Sequence, residues 1–150
     1  CTYIVLAKTL RLALENFDQK EKYVSKLSKY LVKELQTIPD VIINTGGKVS
    51  SHIVNFSCIG YKPEVILHAL EEKDILISTR SACSSKTSDV SRVMQQLHLP
   101  DEVAKSALRV SISDLTKEEE IDKFIEVRRR ATRDNIYNLI FNKSKENKNV

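Results

Sequence analysis

Tyr23, Leu27, Tyr30, Leu31, Leu35 and Ile38 fall three and four residues apart, and then Pro39 stops them. Residues so spaced share one stripe of an α-helix, and an apolar stripe has to be buried against another element. Proline lacks the amide proton that a helix needs and biases its predecessor away from helix, so the run ends at Pro39-Asp40. Directly behind it comes Val41-Ile42-Ile43, a short β-branched run that suits a strand. A long amphipathic helix feeding straight into a strand constrains the chain to lay helix on sheet.

The other segments fit that scheme. Ile4, Leu6, Ala7, Leu10, Leu12, Ala13 and Leu14 put apolar residues at helical spacings ahead of the first stripe. Asp18-Gln19-Lys20-Glu21 between them is either a kink or a polar side. After Asn44-Thr45-Gly46-Gly47 stops the first strand, His52 to Ile59 alternates, with Ile53, Asn55 and Ser57 on one side. Pro63 suits the first turn of a helix striped by Val65, Ile66, Ala69 and Leu70. Asp74-Ile75-Leu76-Ile77 reads as a third strand. Ser88 or Asp89 caps a helix burying Val90, Val93, Met94 and Leu97.

Pro100-Asp101-Glu102 opens a short turn or helix before a strand over Ala107–Ile112. Thr116 with Glu119 makes a capping box for a last helix that buries Ile121, Phe124 and Ile125, with Ile136, Leu139 and Ile140 further along. The order predicts an α/β (α+β) fold, a short-stranded sheet packed by helices, as one domain over residues 1–141 with a polar tail at 142–150.

Composition narrows the classes. With 41% hydrophobic residues among 150, the chain can bury one core and not two, and three glycines with three prolines leave little linker. No apolar run is long enough to span a bilayer, and Cys1–Leu6 lacks the pattern of a secretory signal. Cys1, Cys58 and Cys83 are an odd set with no Cys-x-x-Cys pair, which argues against a disulfide framework and for a reducing cytoplasm. His52, His68 and His98 have no ligand spacing, so no metal is expected. His68 reads as a partly covered helix residue.

Cys83 is set differently from a core cysteine. It stands in Ile77-Ser78-Thr79-Arg80-Ser81-Ala82-Cys83-Ser84-Ser85-Lys86, small and hydroxyl-rich, between two cations. Exposure and nearby positive charge favour a thiolate, which is the reactive form. The local chemistry alone leaves a working thiol and an idle surface cysteine both open.

Three segments in order carry a resemblance to a known family. Ile75–Ser85 resembles the active-site loop of the cysteine desulfurases, where a strand leads into a Ser-Ala-Cys turn. His52-Ile53-Val54-Asn55-Phe56-Ser57 resembles a strand upstream of it, and Leu108-Arg109-Val110-Ser111-Ile112-Ser113 one downstream. The resemblance covers most of Ser50 to about Arg130 and departs where Ser113-Asp114 replaces a glycine and a basic residue.

What the resemblance implies is specific. The fold is that of the small C-terminal domain of a fold-type-I, class-V aminotransferase-like enzyme, with residues 1–38 a helical segment joining to a large domain. Cys83 is the nucleophile, taking sulfur from L-cysteine held on pyridoxal 5'-phosphate and leaving L-alanine and a persulfide. Arg109 grips the substrate carboxylate, and Asn55 is structural or substrate-adjacent. Thr2 resembles a threonine that reaches the cofactor phosphate, although Cys1 replaces the glycine before it. No segment resembles the cofactor-binding lysine, so the cofactor belongs to a part absent from this chain, which alone is expected to be inactive. A homodimer and a sulfur-acceptor scaffold or carrier, for iron–sulfur assembly or RNA thiolation, are the implied partners.

Two other readings stay open. A non-catalytic paralogue uses Cys83 as a sulfur relay or redox sensor. A nucleic-acid module uses Arg128-Arg129-Arg130 with Arg133 and the net charge of +4. Against the latter, Glu118-Glu119-Glu120 at the start of the same helix and bases near its end match the helix dipole, and no aromatic residues interleave to stack on bases. No nucleic-acid partner is therefore expected.

Overall fold

The computed structural model describes residues 2–45, 50–79 and 99–146, with side-chain detail for all of these but 134–146. Two helices come first, α1 (Thr2–Leu14) and α2 (Phe17–Gln36). They part at Asn16, whose φ of 60° and ψ of 20° place it in the left-handed region that asparagine tolerates. The break therefore precedes Asp18–Glu21, which form the polar first turn of α2 and no kink.

Strands β1 (Val41–Ile43), β2 (Ile53–Cys58) and β3 (Ala107–Ser111) make one antiparallel sheet in the order β1-β2-β3. Helices α3 (Pro63–Glu71), α4 (Asp101–Lys105) and α5 (Glu118–Glu146) complete the described elements. The strand expected over Asp74–Ile77 does not form. Ile75 still donates its amide to the Leu70 carbonyl at the end of α3, and Leu76 is 84% exposed. Pairing begins only at Ser78, which bridges Arg109.

One core holds the layers together. Val24, Leu27, Leu31 and Leu35 of α2 meet Val54, Phe56 and Cys58 of β2, Leu108 of β3, Ile66 and Leu70 of α3, and Ile121, Phe124 and Ile125 of α5. Phe56 and Phe124 meet edge to face, with centroids 6.2 Å apart and planes at 76°. The helical period of Tyr23–Ile38 and the alternation of β2 thus bury their apolar sides in each other.

At the rim, α2 and α5 are laced by polar contacts. The Tyr23 hydroxyl donates to the Thr116 carbonyl at 2.9 Å, and Tyr30 to Asp122 at 2.5 Å. Arg129 reaches Glu34 at 3.3 Å and Thr37 at 2.8 Å. The start of α5 differs from the expected Thr116–Glu119 box. Glu120 accepts from the Lys117 amide, and the Thr116 hydroxyl accepts from Ser113, because the helix begins one residue later than a Thr116 cap requires.

In contrast, α1 buries none of its residues: Tyr3 is 87% exposed, and Ile4, Leu6, Leu10 and Leu14 are exposed as well. His68 also lies exposed on α3, beside Glu71. No helix among the described residues is long and apolar enough to cross a membrane.

Candidate functional site

The sheet has two chemically different faces, because side chains alternate along each strand. Val54, Phe56 and Leu108 point into the helical layer, while Asn55, Ser57 and Arg109 belong to the other face. Register places Asn55 directly opposite Arg109. Two residues expected to meet one substrate, 54 positions apart in the chain, are cross-strand neighbours.

Backbone bonding brings their side chains closer still. Arg109 exchanges both backbone bonds with Ser78, its amide donating at 2.7 Å and its carbonyl accepting at 3.0 Å. The carbonyl of Asn55 accepts from the amides of Asn44 and Thr45 on the β1 side. Neither residue turns its backbone to the other, whereas Ile112 bonds His52 and Cys58 bonds Ser106, at the alternate positions of the ladder. Asn55 and Arg109 therefore form a non-hydrogen-bonded pair, the type whose Cα atoms approach to about 4.5 Å and whose side chains lie nearest.

Asn55 is held from the β1 side. Its Oδ1 accepts from Asn44 Nδ2 at 2.8 Å, and the Thr45 hydroxyl accepts from its amide at 2.5 Å. Asn44 Nδ2 also donates to the Ser57 hydroxyl at 2.7 Å, and Ser57 donates to the Val103 carbonyl at 2.6 Å. The family resemblance points to Asn55 and Arg109 only. Asn44 and Thr45 read as turn residues, and Ser57 as one small position in an alternating strand, because none of the three carries a signal before the strands are paired.

The surroundings of this face are pinned to α2. His52 Nδ1 donates to the Ile112 carbonyl at 3.0 Å, and its Nε2 lies 3.3 Å from Glu21. Glu21 also accepts from Ser51. Lys20 pairs with Asp114 at 3.0 Å and holds that carboxyl below its ordinary range. Asp114 thus has a partner on α2.

Cys83 lies outside the described residues, together with Arg80, Ser81, Lys86 and the helix expected after Ser88 or Asp89. Thr2 is exposed on α1, a helix that buries none of its residues. Three cavities among the described residues lie between α2 and α5, beside Gly60–Pro63, and between α3 and α5, and none of these three is bordered by Thr2, Asn55 or Arg109. Among the same residues no group of three His, Cys, Asp or Glu side chains could hold a metal ion.

The basic run on α5 is not one patch. Arg128 is fully buried over the Tyr61 ring at 5.3 Å, Arg129 pairs with Glu34, and Arg130 pairs with Glu126. Beside Arg128, burial pushes the Cys58 thiol up and the guanidinium partly offsets it, so Cys58 is a protonated core residue.

The chain thus forms a short antiparallel sheet packed by helices, with an arginine–asparagine pair across β2 and β3. Residues 1–124 match the model of the class-V aminotransferases, and the chain belongs to that family. It is 36% identical over 126 residues to cysteine desulfurase IscS of Clostridium botulinum strain Hall, across 81% of this chain and 32% of that protein. A human cysteine desulfurase is 31% identical over 125 residues, across 81% of this chain and 26% of its own length. The structure of a NifS-like protein from Rickettsia africae superimposes with a TM-score of 0.70 at 21% identity, over 81% of this chain and 31% of that one, a likeness of fold. The chain thus spans about a third of the length of the curated relatives it matches.

Proposed function

We propose that this chain is the part of a cysteine desulfurase that carries the sulfur-accepting thiol, Cys83, and the carboxylate clamp, Arg109. The observation that supports it best is the direct opposition of Asn55 and Arg109 on the polar face of the sheet. A guanidinium there offers a planar pair of donors to a carboxylate, and Ser78 fixes the backbone on which it stands. The net reaction takes sulfur from L-cysteine, leaves L-alanine, and places the sulfur on Cys83 as a persulfide for transfer to an acceptor scaffold or carrier protein.

Pyridoxal phosphate, on this reading, is held by protein outside this chain. α1 favours such an arrangement, since its exposed Tyr3, Leu6, Leu10 and Leu14 make an apolar surface of a kind that normally marks a contact with other protein. Residues 1–38 then join the domain at 1–141 to a larger one, with Thr2 facing the cofactor phosphate of a homodimer. The 150-residue chain by itself has no turnover.

The test incubates the longest natural form of the protein with pyridoxal phosphate, cysteine and a reductant, and measures alanine and sulfide. Alanine production that is lost in Cys83→Ser and weakened in Arg109→Ala supports the assignment. Cofactor binding without alanine favours the relay or sensor instead.

A further inference from the structure

We propose that Asn44 is a positioning residue that turns the Asn55 carboxamide so that its NH2 group stands beside Arg109 as a second donor to the substrate carboxylate. The proposal rests on Arg109 being the carboxylate clamp.

Proton bookkeeping along one chain of hydrogen bonds carries it. The Val103 carbonyl can only accept, so the Ser57 hydroxyl, 2.6 Å away, spends its single proton there. The Ser57 oxygen, 2.7 Å from Asn44, must then accept, which makes the atom facing it the Asn44 NH2 group. That same NH2 lies 2.8 Å from the Asn55 carboxamide, so the Asn55 atom facing it is the oxygen. The Asn55 NH2 is left on the far side of its own amide plane, where among the described residues it has no acceptor.

The backbone keeps this order from slipping. Asn44 donates its own amide to the Asn55 carbonyl at 2.9 Å, and Thr45 brackets Asn55 through both its amide and its hydroxyl. The arrangement leaves Asn44 Oδ1 buried with no partner among the described residues. Turning Asn44 over would bury an NH2 group in that place and set two oxygens against each other at Ser57. The orphan oxygen is thus the lesser cost of keeping a donor at Ser57 and Asn55.

On the open face the result is two donor groups of one polarity. Arg109 contributes charge and a planar fork, and Asn55, in the close-approach pair, contributes a neutral N–H. Had the carboxamide been reversed, its oxygen would repel the carboxylate that Arg109 attracts. Asn44 thereby decides whether Asn55 helps or opposes substrate binding without touching the substrate.

Two readouts test this, one on the wild-type protein and one on Asn44→Asp, which keeps the shape and replaces the donor by an acceptor. In nitrogen-15- and carbon-13-labelled protein, a through-hydrogen-bond coupling is expected from Asn44 Nδ2 to the Asn55 side-chain carbonyl carbon. The opposite coupling, from Asn55 Nδ2 to the Asn44 carbonyl carbon, overturns the proposal.

In the longest natural form with pyridoxal phosphate, Asn44→Asp is expected to raise KM for cysteine roughly tenfold, with kcat changed less than about twofold. Ser57→Ala, which only frees Asn44 to turn, is expected to raise KM by a smaller factor. Unchanged KM in both variants, or an equal fall in kcat and in thermal stability, overturns the positioning role. A wild type that releases no alanine defeats the desulfurase reading instead, and the coupling still judges the amide orientation.

Discussion

Asn55 and Arg109 face each other across β2 and β3 in a pair that exchanges no backbone hydrogen bonds. The consequence is that both residues of the proposed clamp stand on paired strands. Arg109→Lys keeps the charge and loses the planar fork. It is expected to lower kcat/KM for cysteine by about tenfold to a hundredfold, since hydrogen bonds to charged groups are worth ~1.5–3 kcal/mol. Because Arg109 is exposed, its circular dichroism spectrum and melting temperature should match the wild type.

Arg128 is the opposite case, a fully buried guanidinium whose Nε and Nη2 find no hydrogen-bond partner among the described residues. It stacks on Tyr61 and donates to Thr132. Buried unpaired donors are costly, so Arg128→Met, similar in length and apolar, is expected to leave stability within about 1 kcal/mol or raise it. Arg128→Ala leaves a cavity and is expected to cost about 3 kcal/mol. Urea denaturation of the two variants separates packing from charge.

Much of the fold was legible from spacing alone. The α2 stripe, the alternation of β2 and the buried face of α5 all appeared as periods, because burial selects apolar residues at positions fixed by helix and strand geometry. Asn16 was missed as the break, since an isolated asparagine in a polar stretch does not announce a left-handed conformation. Arg128-Arg129-Arg130 with Arg133 reads as one basic cluster on the last helix, because nothing in the run marks which arginine the helix turns inward. The Asn44–Ser57 contact depends on strand register, which pairs residues 13 apart and exists only after folding.

Tyr30 reports on the seam between α2 and α5. Its hydrogen bond to Asp122, with burial and that carboxylate's charge adding to it, pushes its pKa from 10.0 to about 12. A folded pKa above the unfolded one means that this contribution is complete below pH ~10 and is lost as pH rises through about 12. Asp122→Asn should return Tyr30 towards its ordinary value, read as phenolate absorbance developing at lower pH.

The Lys20–Asp114 pair has the opposite sign. The Asp114 carboxyl is held below its usual pKa, chiefly by the hydrogen bond from Lys20, so its contribution is present above the unfolded value and is lost as pH falls through the folded one. In Lys20→Met, a carbon-13 titration should show Asp114 moving up towards 3.8, its ordinary value.

Phe56 and Phe124 couple the sheet to α5. Either change to alanine should cost about 3–5 kcal/mol, and the double variant less than the sum, because the first substitution already removes the edge-to-face contact. Additive losses in chemical denaturation would show that the two rings act independently.

Arrival of sulfur on Cys83 can be read by mass spectrometry. The longest natural form, loaded with pyridoxal phosphate and treated briefly with cysteine, is digested, and the peptide containing Cys83 is weighed without reduction. A mass increase of one sulfur atom on that peptide, reversed by a thiol and accompanied by alanine, is the predicted result. Alanine formed with Cys83 unmodified, or sulfur found on Cys1 or Cys58 instead, would contradict it.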